Sequence, residues 1–403
     1  IMIKRIFITF GVLLLALIAV LLFNTFRFNP IAESSKPSIA INKYDSAALH
    51  LSQALQIKTV SFGDTLPIDT AEFIKFRTFM ETTYPLMHQK LEKKSFNLFS
   101  YVFTWKGKDT TLAPYVLMAH TDVVPVEAIA ESKWSYPSFS GTIDKDTIWG
   151  RGAVDDKGSA IAIMEAVELS LKENIQPNRT IYLCFGHDEE ISGKRGAAIF
   201  SKWFDSSNIK PALVLDEGGM VDTEKFKATG RPVAVVGTGE KGYTNIDLTV
   251  EIPGGHSSTP LKETAIDILN QAIVKVRAKQ MPALIAPPVQ DLLNRTGAGE
   301  SFFTKMVMAN MWLFKGSVIK RMEASNQTNA MVHTTLVPTI VKAGIKDNVI
   351  PSVAKATLNS RILTGETSDD VVKYVTIVIN DERVQVKKQT ISLMEPSTIT
   401  AAD

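Results

Sequence analysis

The sequence predicts an α/β protein with a largely parallel central sheet flanked by helices. An inserted α+β unit follows the sheet domain, and a transmembrane helix stands at the N-terminus. Three observations carry this prediction. Between residues 115 and 215, apolar runs of strand length alternate with helix-like stretches, the pattern of a parallel sheet covered by helices. Over residues 245–252, polar and apolar side chains alternate strictly, as in a sheet with one solvated face. Residues 6–23 form an apolar run of 18, broken only by Thr9 and Gly11, about the minimum for crossing a bilayer as a helix.

The elements follow in chain order. Lys4 and Arg5 precede the apolar run, which places that end in the cytoplasm and the rest of the chain in an extracytoplasmic space. Residues 21–26 offer no small-residue cut site, which favours an uncleaved anchor (1–28) over a removed signal. Residues 29–43, with Pro30, Pro37 and Ser34-Ser35, read as a linker. Residues 45–57 and 69–93 read as helices, the second broken at Pro85. Residues 96–105 read as one strand, Gly107-Lys108-Asp109 as a turn and 115–119 as the next strand. Helix 157–173, strand 180–185, helix 194–204 and strand 212–215 continue the alternation. These belong to a first domain spanning 44–241. The insert, 242–392, has strand 245–252, helix 261–279, Met- and aromatic-rich helices over 291–323, strand 355–362, helix 368–379 and strand 383–388. Residues 393–403 return to the first domain.

At 403 residues the chain exceeds one ordinary core. A net charge of +2 provides no field for nucleic acid, so no nucleic-acid partner is expected. The single cysteine, Cys184, lies in an apolar strand and reads as core.

Chemistry concentrates in a few acidic segments. An apolar strand ends at His120, and Asp122 follows two residues later, a spacing that suits a metal ligand and the carboxylate that orients it. Three acidic clusters follow: Asp155-Asp156, Asp188-Glu189-Glu190 and Asp216-Glu217. The last two fall just past strand ends, where open α/β sheets bind ligands. The glycine-rich stretch 149–158 has neither Walker nor dinucleotide-binding spacing. Its glycines instead let the backbone turn so that Asp155 reaches the metals, while Asp156 and Lys157 cap and begin the next helix. Two cations held by such a set polarise a carbonyl and acidify water, and an unliganded carboxylate serves as base. The oxygen-rich donors suit two Zn²⁺, with Mn²⁺ or Co²⁺ as alternatives. Residues 254–260, Gly-Gly-His-Ser-Ser-Thr-Pro, lack the Gly-X-Ser-X-Gly spacing of a serine nucleophile, which disfavours Ser257 or Ser258 in that role.

The combination His-Thr-Asp-Val-Val-Pro (120–125), Gly-Arg-Gly-Ala-Val-Asp-Asp-Lys-Gly (150–158), Gly-His-Asp-Glu-Glu (186–190) and Leu-Asp-Glu-Gly-Gly (215–219) resembles the di-zinc aminoacylase and carboxypeptidase superfamily. Within it, the vacuolar Gly-X carboxypeptidase and N-acyl-amino-acid hydrolase branch is most similar, over nearly everything from about residue 45 onward. The resemblance implies that Asp155 bridges two zinc ions, His120 binds one and Glu190 the other. A further ligand would be Asp216 or Glu217, with Asp216 preferred. Asp122 would orient His120, and Glu189 would be the general base. Substrates would be small N-acyl amino acids or short peptides with a free carboxylate, and the insert a lid and dimerisation domain in a homodimer. His256 would stabilise the oxyanion in a partner's active site, Arg361 would clamp the carboxylate, and Asn348 would contact substrate. The plainer alternatives are a turn histidine and a solvated strand arginine. Helices 291–323 would form an apolar wall for a fatty acyl group or simply a packed core.

The family takes its last zinc ligand from a histidine near the C-terminus. None of His50, His88, His120, His187, His256 and His333 occupies such a place, so the closing segment is expected beyond Asp403. The competing reading is a membrane-anchored binding protein without turnover; Glu189, a base such a scaffold would not need, argues against it.

Overall fold

The structure is a computed structural model and describes residues 2–29, 45–63, 66–222, 233–390 and 393–398. Nearly all of the expected linker and the last residues of the expected return segment lie outside the described residues. The chain forms two compact units, one of residues 36–218 and one of residues 1–35 with 219–403.

The chain begins with α1 (Met2–Arg27), long and apolar enough to cross a membrane. The 36–218 unit then opens with α2 (Asp45–Leu55), α3 (Thr70–Thr83) and α4 (Pro85–Lys90). The break falls where expected: Pro85 starts α4, at a helix position whose missing N–H costs nothing. Next come β1 (Glu92–Phe96), β2 (Ser100–Trp105) and β3 (Tyr115–His120), then α5 (Ala128–Glu131) and the hairpin β4 (Thr142–Asp144) and β5 (Thr147–Trp149). Helix α6 (Lys157–Lys172), β6 (Ile181–Gly186), a short 3₁₀ turn at Glu189–Ile191, α7 (Ala197–Ser206) and β7 (Leu213–Leu215) complete the unit.

The sheet order is β1-β2-β6-β3-β7. Strands β6, β3 and β7 are parallel, while β1 and β2 are added antiparallel, so the sheet is mixed rather than largely parallel. The single strand expected over 96–105 is the second arm of a hairpin. Asn97 and Leu98 take left-handed φ values of 46° and 71°, which reverses the chain between β1 and β2. Helix α6 buries Ala160, Ile161, Met164, Val167 and Leu171, a helical stripe packed with Phe103, Leu183 and Phe185 of the sheet. Phe200 of α7 packs with Val102, Val116 and Cys184. Each fully buried large apolar side chain contributes about 1.5–3 kcal/mol. The parallel trio ends along one edge, with His120 of β3 opposite Gly186 of β6.

In the other unit, β8 (Met220–Asp222) pairs with β9 (Val233–Val235), followed by β10 (Gly242–Glu251) and β11 (Gly255–His256). Then come α8 (Ala265–Ala278), α9 (Pro287–Gly297), α10 (Phe302–Ala309), α11 (Met311–Met322) and α12 (Asn326–Val332). Strands β12 (Thr335–Ala343), β13 (Val349–Ile350) and β14 (Val353–Ile362), helix α13 (Ser368–Ile379) and β15 (Val384–Lys388) follow. An antiparallel sheet in the order β12-β14-β10-β15 alternates buried and half-buried residues along β10, as the sequence predicts. Ile246, Leu248 and Val250 of β10 form a core with α8 and α13. Both helices start in reciprocal capping boxes, Thr264 with Asp267 and Thr367 with Asp370. Strand β12 had no reading in the sequence: Pro338 sits at a register shift, a device confined to edge strands.

Candidate metal centre

His120 is the last residue of β3, 3% exposed, and aligned with Gly186 at the end of β6. Its Nδ1 lies 2.9 Å from the Asp122 carbonyl oxygen and 3.4 Å from Asp122 Oδ1. That pairing leaves Nε2 facing outward from the strand end. Asp155 Oδ1 lies 2.9 Å and Glu217 Oε2 2.8 Å from it, with Glu189 Oε2 at 3.9 Å. Two sets of donor atoms each lie mutually within 4.8 Å: His120, Asp155 and Glu190; and His120, Asp156 and Glu217.

Asp122 is fully buried. Its two carboxylate oxygens accept hydrogen bonds from the Glu189 amide (3.1 Å) and the Glu190 amide (3.2 Å). One carboxylate therefore holds the imidazole of β3 and the acidic turn after β6 in a common frame. Gly152 permits the loop that delivers Asp155. Its φ is +88°, and a Cβ there would stand 2.7 Å from Val123 Cγ1. The Asp155–Asp156 peptide bond is cis.

The electrostatics are those of crowded negative charge. Burial opposes protonation of His120, but the Asp122 and Glu217 carboxylates outweigh it and push the imidazole up to about 12. Burial, reinforced by Glu217, Glu190 and Asp122 and opposed by His120, raises Glu189 to about 7. Burial likewise raises Asp156 to about 6, and Glu190 and Asp216 above the usual carboxylate range. Glu190 Oε1 and Asp156 Oδ1 are buried without a hydrogen-bond partner. Buried, unpartnered acceptor oxygens in an acidic cluster lack the positive charge that burial of such groups requires. The residues therefore fit a pair of divalent cations, with one imidazole and several carboxylates as donors.

The expected residues His120, Asp122, Asp155, Glu189 and Glu190 come together here. The preferred ligand Asp216 is in neither donor set, and its Oδ1 accepts from the Glu217 amide at 2.9 Å instead. Its alternative, Glu217, is the carboxylate that turns to His120. Asp156 was read as a helix cap, yet at the N-cap of α6 its side chain makes no capping bond. Its Oδ2 accepts from the His120 amide at 3.3 Å. Lys157 is also more than a helix start: fully buried, its Nζ donates to the carbonyls of Ala54 (3.0 Å) and Ile57 (2.6 Å). Burial pushes this ammonium down to about 7. The paired acids of 155–156 were a sequence signal for Asp156 alone.

His256, Asn348 and Arg361 lie in the other unit. His256 pairs with Val349 across the β11–β13 ribbon, and the Ser257 amide donates to the Asn348 carbonyl at 3.2 Å. The Ser258 amide donates to His256 Nδ1 at 3.2 Å, so the neutral ring carries its proton on Nε2. The Arg361 guanidinium lies 4.7 Å from the Tyr243 ring centroid, in cation–π contact.

A mixed α/β sheet with an imidazole and acidic donors gathered at its parallel strand ends defines a metal-dependent hydrolase. The chain belongs to Peptidase family M20/M25/M40, matched over residues 116–310, and carries a Peptidase dimerisation domain over 238–387. It is 37% identical over 404 residues to "Probable carboxypeptidase S-like 2" of Dictyostelium discoideum, covering 96% of this chain and 76% of that protein. To "N-fatty-acyl-amino acid synthase/hydrolase PM20D1" of Xenopus tropicalis it is 39% identical, covering 92% and 74%. Among solved structures, an M20 family metallo-carboxypeptidase from Sulfolobus solfataricus shares the fold with a TM-score of 0.60 at 19% identity, covering 88% of this chain and 79% of that one. The protein is thus a metallopeptidase-class enzyme acting on peptide or amide bonds.

Proposed function

We propose that this enzyme hydrolyses the amide bond of small substrates bearing a free carboxylate, N-acyl amino acids or short peptides. The observation that carries this reading is the convergence of His120, Asp155, Glu190 and Glu217 beside a carboxylate, Glu189, in neither donor set. His120, Asp155, Glu190 and Glu217 would hold two zinc ions. When bound, such cations polarise the scissile carbonyl and acidify a water molecule.

The chain's own residues do the rest. Glu189, raised to about 7, accepts the proton of the attacking water on its carboxylate and passes it to the leaving amine nitrogen. Asp122 keeps His120 and the 189–190 turn aligned throughout. His256, with its proton on Nε2, would donate to the tetrahedral oxyanion in a partner subunit's active site, and the planar Arg361 guanidinium to the substrate carboxylate. Asn348 is a further substrate contact. The two names above, a carboxypeptidase and an N-fatty-acyl-amino acid hydrolase, support the same substrate class.

The reading extends to organisation. Residues 44–241 are read as the catalytic domain and 242–392 as the lid and dimerisation domain of a homodimer; residues 393–398, expected to return to the catalytic domain, instead pack with the latter, Met394 bridging to Tyr243 and Glu395 accepting from the Ser368 amide. Helix α1 anchors the enzyme, with Lys4 and Arg5 on the cytoplasmic side and the catalytic domain outside. Chelator-sensitive hydrolysis of a panel of acyl-amino acids and dipeptides tests the proposal. Activity that persists after complete metal removal refutes it.

A further inference from the structure

The helices of the dimerisation-domain region split into two populations. Val318 and Met322 of α11 are buried in a small core with Ile285 and Val332. On the outside, Phe302 is 44%, Phe303 73%, Trp312 62% and Leu313 45% exposed. These four side chains flank the corner where α10 meets α11, and that corner is where α1 is attached.

The attachment is specific. Asn310, fully buried between α10 and α11, accepts a hydrogen bond from Asn24 Nδ2 at 2.8 Å. Its own amide donates to the Leu21 carbonyl of α1 at 3.2 Å and to the Met306 carbonyl at 2.8 Å. The Phe26 ring meets Phe302 at 6.2 Å between centroids, and Phe302 meets Phe303 at 5.8 Å. The docking residues Leu21 to Phe26 fall at the outgoing end of the apolar run of α1. A helix rising 1.5 Å per residue places that end at the outer boundary of a bilayer of about 30 Å hydrocarbon thickness.

Charge agrees with depth. Residues 300–323 hold Lys305, Lys315, Lys320 and Arg321 against Glu300 and Glu323, one at each end, a net positive charge. Exposed aromatic rings beside cationic side chains on short helices match a membrane interface, where rings sit at headgroup level and lysines meet lipid phosphates.

We propose that the α10–α11 corner is a second membrane contact. Phe303, Trp312 and Leu313 seat in the outer leaflet of an anionic bilayer beside α1, holding this unit at the lipid surface. The proposal rests on α1 spanning the membrane. Continuity of the exposed rings with Phe26 of that helix, together with the net positive charge of the corner, favours lipid over a second protein copy as the occupant.

The full chain in anionic phospholipid vesicles tests this. Cys184 is fully buried, so a single introduced thiol takes a spin label. Labels at Phe303→Cys, Leu14→Cys and Glu382→Cys are compared for accessibility to oxygen and to a water-soluble relaxant. The expected result is a lipid-like signal at position 14, a signal about 5–10 Å into the headgroup–acyl boundary at 303, and a water signal at 382. A lipid signal at 14 with a water signal at 303 overturns the proposal while leaving the anchor intact. Water signals at both overturn the spanning reading on which it rests. Label-to-label broadening at 303 without lipid contact assigns the corner to a second copy and also overturns it. Trp312 emission, compared with Trp312→Phe in brominated-lipid vesicles, gives an independent reading with a milder substitution: quenching that disappears in the variant supports the seat, and identical quenching in both opposes it.

Discussion

Replacing Asp122 with Asn probes the frame of the metal centre without adding or removing a heavy atom. The native carboxylate accepts the amides of Glu189 and Glu190 at 3.1 and 3.2 Å and faces His120 Nδ1 at 3.4 Å. Asparagine keeps one acceptor oxygen and turns an NH₂ group toward the second amide, donor against donor. A hydrogen bond to a charged group is worth about 1.5–3 kcal/mol, and stranding a buried amide costs about 1–3 kcal/mol. Relief of carboxylate crowding offsets part of this in the metal-free protein, leaving an expected loss of about 1–3 kcal/mol. The larger effect falls on the cation, because His120 loses its charged orienting partner and the Glu190 turn loses its tether. Substitutions of this kind lower metal affinity about 10–100-fold, or about 1.4–2.7 kcal/mol. Competition titration against a calibrated chelator measures the affinity, and urea unfolding of the metal-free protein measures the stability. A variant that binds metal as tightly as wild type refutes the assignment of Asp122 as the organiser of the site.

Glu189→Gln should lower kcat by about 10²–10⁴-fold while metal titration stays unchanged; loss of both would make Glu189 a ligand instead of the base. Glu217→Gln should weaken metal binding more than Asp216→Asn, and the reverse order would return the ligand role to Asp216. Gly152→Ala should cost about 1–2 kcal/mol for a left-handed residue bearing a Cβ, with a further loss from the 2.7 Å approach to Val123, and it should loosen metal binding through Asp155. Lys241 donates to the Ala330 and His333 carbonyls, each at 2.9 Å, and burial holds it down to about 8. The folded state thus releases this proton before the unfolded chain does. Stability should rise with pH from about 8 until the unfolded lysine titrates near 10.4, and that rise should be absent in Lys241→Met during urea unfolding at stepped pH.

Much of this was legible in the sequence because the informative residues obey local rules. His120 follows an unbroken apolar strand, the alternation in β10 is uninterrupted, and Pro85 breaks its helix at the expected position. What escaped depended on local backbone conformation or on contacts between distant segments. The β1–β2 hairpin turns on Asn97 and Leu98, neither a glycine, in left-handed conformations that composition does not announce. Strand β12 is broken by Pro338 and exposed along much of its length, so it lacks the apolar alternation that marks a strand. Asp156 and Lys157 look like a helix start in one dimension. Only the fold brings one to the His120 amide and the other to the carbonyls of Ala54 and Ile57. The choice between Asp216 and Glu217 turns on side-chain direction after β7, which adjacency in the chain does not reveal.

The donors around His120 come from four stretches scattered between residues 120 and 217, and none of those stretches makes a site alone. Divalent ions therefore have little to grip until the three parallel strands have docked, whereas the finished pocket without them holds a knot of mutual repulsion. Occupancy should act as a latch on the completed sheet, adding RT ln(1 + [M]/Kd) to its free energy of unfolding. In a compartment where such ions run short, turnover and this reserve of stability would decline together.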